Sequence, residues 1–75
     1  MKIVLVEWLD CHCEDMWTVE DDARNLEPIV VKSVGYLIEQ TETKVILSAM
    51  VSERTTMSMI VCIPRGSIVN ITEIK

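Results

Sequence analysis

The most reactive side chains of the chain stand together, at Cys11-His12-Cys13, with the third cysteine far away at Cys62. Zinc asks for four nitrogen or sulfur ligands in tetrahedral array. In an extended segment Cys11 and Cys13 share one side and His12 points to the other, so the three do not converge. Cys62 lies in the apolar run Ile60-Val61-Cys62-Ile63 and reads as a small core residue. Paired Cys-x-x-Cys knuckles are missing. Thiol catalysis fares no better, because His12 cannot deprotonate a neighbour that faces away from it, and it is the only histidine. The expectation is a protein that is not an enzyme and holds no metal or cofactor.

Acidic residues form the second candidate group. Asp10, Glu14, Asp15, Glu20, Asp21, Asp22 and Glu27 face one base, Arg24, so residues 10–27 carry −6. Residues 1–9 are neutral and residues 28–75 carry +1, within a total of −5. Hard cations take oxygen ligands, but no loop here has the spacing of a calcium hand. Glu20-Asp21-Asp22 suits the N-terminus of a helix instead. A chain of this charge has no general attraction for nucleic acid.

Aromatic residues are few: Trp8, Trp17 and Tyr36. Trp8 stands in an apolar strand beside Val4 and Val6 and reads as a cap on the core. Trp17 stands in a polar segment, where an indole stacks on a partner or a ligand. Trp17, His12 and Asp10 are therefore the expected contacts. Arg54 and Arg65, each in a turn, supply positive charge to an anion only if they converge.

The elements that must position these residues are mostly strands. Residues 2–9 form a first strand, apolar on both faces, which implies that its second face packs on a loop or a partner. Residues 28–39 form a second, with Val30, Val34, Tyr36 and Ile38 on one side and Gly35 marking a bulge or sharp bend. Val45, Leu47, Ala49 and Val51 alternate with polar or outward residues in a third. Met57, Met59, Val61 and Ile63 share a face in a fourth, ended by Pro64. Pro64-Arg65-Gly66-Ser67 makes a tight turn, and the last strand runs from Ile68 to Ile74. Between strands one and two, Thr18 and Asp21 resemble a capping box. Val19, Ala23 and Leu26 then give a short helix over residues 19–26, packed across one barrel end.

Residues 1–75 thus form one domain, mainly β: a small five-stranded SH3-like barrel with a short helix in the long loop between strands one and two. A Sm-like barrel normally begins with a helix, and an OB barrel puts its helix between strands three and four; neither pattern is found here. So small a core favours a homo-oligomer. The apolar start Ile3-Val4-Leu5-Val6 is broken by Glu7 and Asp10 and lacks a cleavage site. No apolar run approaches the roughly 18 residues of a spanning helix. An odd cysteine count favours free thiols. The expected setting is the cytoplasm, with no membrane partner.

Several segments resemble a group of short, uncharacterised phage and prophage proteins: Val6-Glu7-Trp8-Leu9-Asp10, Trp17, Lys32-Ser33-Val34-Gly35-Tyr36-Leu37-Ile38 and Ile63-Pro64-Arg65-Gly66-Ser67-Ile68. Where that group tends to Asp-Ser-x-Ser, this chain has Asp10-Cys11-His12-Cys13, a departure that speaks against an essential thiol. The resemblance implies a phage-encoded accessory protein of small β-barrel fold, at work in the host cytoplasm. Two functions follow as expectations. The first is a binding module that docks a host or phage protein through its acidic first loop. The second is a counter-defence protein that sequesters a small nucleotide, with Trp17 on the base and Arg54 or Arg65 on phosphate.

Overall fold

Alternating and β-branched residues make strands wherever one face can be buried, and five such segments are strands in the computed structural model, which describes residues 1–75. β1 (Ile3–Asp10), β2 (Ile29–Gln40), β3 (Lys44–Val51), β4 (Met57–Pro64) and β5 (Ile68–Ile74) form one antiparallel sheet in the order β4-β3-β2-β1-β5. A 3₁₀ turn, Arg65–Ser67, joins the two outermost strands, and the Arg65 amide donates to the Thr43 carbonyl at 2.9 Å. β4 and β5 do not hydrogen-bond to each other, so the sheet is unclosed.

β2 is long enough to serve both halves of the sheet. Its first part pairs with β1, from Asp10↔Ile29 to Ile3↔Tyr36, and its last part pairs with β3 across a bulge between Leu37 and Glu39. Gly35 stands opposite Val4 at the changeover. A Cβ there would lie 2.9 Å from the Ser48 carbonyl oxygen, closer than real contacts allow, and a tight 3.3 Å from the Leu47 Cβ. The missing side chain lets β3 close on β2 and opens space on the inner face.

The core uses that space. Val4 and Val6 of β1 meet Val45 and Leu47 of β3 and Ile63 of β4, although β2 lies between them in the sheet. Opposite Val4 and Val6 on β2 stand only Gly35 and Ser33, so large side chains from either side reach over. Trp8, Leu37, Val61, Ile68 and Ile71 pack around this cluster. The Trp8 indole N–H donates to Ser33 Oγ at 3.1 Å, which satisfies its one polar atom.

Several expectations are corrected. The helix is a five-residue turn, Glu20–Arg24, and none of its residues is buried. It lies across no core, because Val19 and Leu26 are themselves exposed. Its N-cap is Val19 with no side-chain hydrogen bond, so the Thr18 capping box does not form. Cys62 is exposed, since Val61 and Ile63 take the inner side of β4 and alternation turns Cys62 outward. Val30, Val34 and Tyr36 do share a side, and it is the outer one. Ala49 is exposed and Met59 is 70% exposed, although Val45, Leu47 and Ile63 are inside as expected.

The molecule is long for its size. Its extents are 52 × 22 × 21 Å and its Cα radius of gyration is 15.7 Å, against about 11 Å for a compact chain of this length. Residues 11–28, every one of them exposed, are the part that no strand pairing gathers in.

Candidate functional site

Residues 11–28 form an arm between Asp10 and Ile29, which are register partners at the end of the β1–β2 ladder. Its legs are tied near the base. Asp10 Oδ1 accepts the Cys11 amide at 2.8 Å. His12 Nδ1 lies 3.1 Å from the Glu27 carbonyl oxygen; a carbonyl only accepts, so Nδ1 carries the proton. Nε2 of the same ring lies 3.9 Å from Glu14 Oε2. His12 is thus a clip between the two legs. Farther along, Arg24 pairs with Glu20 within the short helix, leaving Asp15, Asp21, Asp22 and Glu27 without a basic partner.

Trp17 is 103% exposed, which means that its ring touches almost nothing in its own chain. Met16, Val19 and Leu26 are exposed with it. The arm therefore combines apolar side chains with a run of carboxylates on one exposed element.

The thiols are placed for little chemistry. Cys11 and Cys13 Sγ lie 3.9 Å apart. The Cys11 thiol is held above its ordinary range, first by the hydrogen bond and charge of Cys13, then by the charge of Asp10. A nucleophilic cysteine needs the opposite shift. No three His, Cys, Asp or Glu side chains converge in a metal-binding arrangement.

Of the five residues singled out in the sequence, Asp10 and His12 stand together at the arm base and Trp17 extends from it. Arg54 and Arg65 are separated from each other. Arg54 lies in the β3–β4 turn and Arg65 follows the far end of β4, about 25 Å away along an eight-residue strand. Arg65 instead borders an open groove of about 400 Å³ with Gln40, Ile68, Val69, Asn70 and Ile71. Trp17 is not among its walls. The groove had no signal in the sequence, because it joins residues from three elements that only the fold makes neighbours.

No helix is long and apolar enough to cross a membrane. No family model matches the chain, nor does any curated protein or solved structure.

Proposed function

We propose that the protein is a non-enzymatic accessory binding module of the phage type its sequence resembles, which docks a host or phage protein through its acidic arm in the host cytoplasm. One observation carries it: a fully exposed Trp17 on an arm with five net negative charges. An indole with no contacts in its own chain gains by entering a partner's apolar pocket, and tryptophan anchors are prominent among binding hot spots. The carboxylates select a basic rim around that pocket and speed the encounter. Strand order, the bend at Gly35 and the 3₁₀ turn before β5 support reading the curled sheet as a small SH3-like barrel that serves as scaffold.

Immobilised protein should capture a partner from host lysate at low salt and lose much of it at high salt, where exposed charges are screened. The variant with Asp10→Asn, Glu14→Gln and Trp17→Ala should lose it altogether. If that variant keeps every protein that the parent captures, the arm is not the docking element.

Nucleotide sequestration, the alternative, needs an indole and cationic side chains around one ligand. Within one chain Trp17, Arg54 and Arg65 do not share a pocket. A nucleotide at a hundred times its dissociation constant would add about 2.7 kcal/mol to stability. Thermal-shift titration with cyclic and linear nucleotides is expected to give no such change.

A further inference from the structure

The outer side of the sheet carries a band of apolar side chains from edge to edge. Its register gives the row directly: Ile60 of β4 opposes Ser48 of β3, Ser48 opposes Tyr36 of β2, Tyr36 opposes Ile3 of β1, and Ile3 opposes Ile74 of β5. The adjacent row is Val34, Leu5 and Thr72. Opposed residues of an antiparallel pair point to one side, and in β1 and β4 the alternate residues Val4, Val6 and Ile63 fill the core. These rows therefore face away from it. Val34 and Ile60 are each 57% exposed, with Ile3 and Ile74 also exposed, while the small Ser48 between Ile60 and Tyr36 is fully buried.

We propose that this band is the contact face of a two-fold homodimer of the chain. Two observations select a second copy as its occupant. The buried apolar core is only five residues, while fifteen large apolar side chains are exposed, ten of them on strands. A core so thin needs cover whenever the chain is folded, and the chain itself is the one partner always present.

The charge pattern is the second. A two-fold face must complement itself. Beside the apolar rows the register sets Glu7 of β1 directly against Lys32 of β2 and Asn70 of β5. A face with one acid next to one base is neutral and can meet its own copy with the two exchanged. The arm, at −5, cannot, and it plays no part in the contact.

Light scattering after gel filtration tests this. The parent is expected at the mass of two 8.6 kDa chains, and Val34→Lys or Ile60→Lys at the mass of one with its β-type circular dichroism retained. The arm variant with Asp10→Asn, Glu14→Gln and Trp17→Ala should remain a dimer, so loss of partner capture and loss of the dimer are separable. If both lysine variants fail to fold, the parent's melting midpoint decides: it should rise with chain concentration, as for any folded dimer that melts to single chains. A constant midpoint, a single-chain parent, a folded lysine variant that stays dimeric, or dissociation of the arm variant overturns the proposal. So does a single-chain parent that uses Val34 to bind liposomes or a different protein.

Discussion

Thr55 takes a φ of 60°, a left-handed conformation that is uncommon for a β-branched residue. It follows the turn at Glu53-Arg54, where the Ser52 amide donates to the Thr56 carbonyl and Ser52 Oγ accepts the amides of Arg54 and Thr56. Three-residue hairpin loops usually place glycine at this position. Thr55→Gly removes a penalty of about 1–2 kcal/mol and adds about 0.5–1 kcal/mol of chain entropy to be lost. The expected result is a gain of about 0.5–1 kcal/mol, read as a higher urea midpoint with an unchanged slope. Cys11 gives a second expectation. Because Cys13 contributes the largest upward influence on its thiol, Cys13→Ser should speed alkylation of Cys11 at mildly alkaline pH, and Asp10→Asn should speed it less, both followed by mass spectrometry. At this scale the sequence grouped Asp10, His12 and Trp17 in one acidic segment but put Cys62 inside. Ile60-Val61-Cys62-Ile63 is apolar at every position, so composition alone does not say which alternate residues turn inward.

β2 shows how an element is legible and its environment is not. Its extent and the break at Gly35 follow from β-branched residues around a single glycine. That Val34 and Tyr36 face outward while Ser33 and Gly35 face the core could not be read, because the core side is here the less apolar one. The helix teaches the converse: Val19, Ala23 and Leu26 have the period of a buried face, yet five residues on an extended arm have nothing to pack on. Gly35→Ala should destabilise the fold by roughly 1–3 kcal/mol in chemical denaturation, since its methyl meets a backbone carbonyl that cannot step aside. Between β3 and β4, Ser48 Oγ lies 2.8 Å from the Met50 carbonyl oxygen and 2.9 Å from that of Ser58. The hydroxyl is buried and its proton is shared between them. Ser48→Ala should cost about 1–3 kcal/mol by stranding these acceptors, with no change in strand content.

At the scale of the whole molecule, scaffold and arm are separable units. Asp10 and Ile29 are paired, so replacing residues 11–28 by Asn-Gly would close β1 and β2 with a two-residue hairpin turn. That shortened chain should keep its sheet, bring the radius of gyration of one chain down towards about 11 Å in solution scattering, and lose partner capture. The outermost strand β4 has a property that matters at high concentration. Its register with β3 continues through the position of Ala49 and Met59, yet these two are not paired, and Met59 has a φ of 57°. A strand interrupted in mid-course offers a poor template for the next chain. An isoleucine- and valine-rich protein with an uncovered sheet margin would otherwise be a candidate for fibre growth. The left-handed residue at Met59 limits edge-on recruitment there to short stretches, which makes β4 a poor margin for polymerisation.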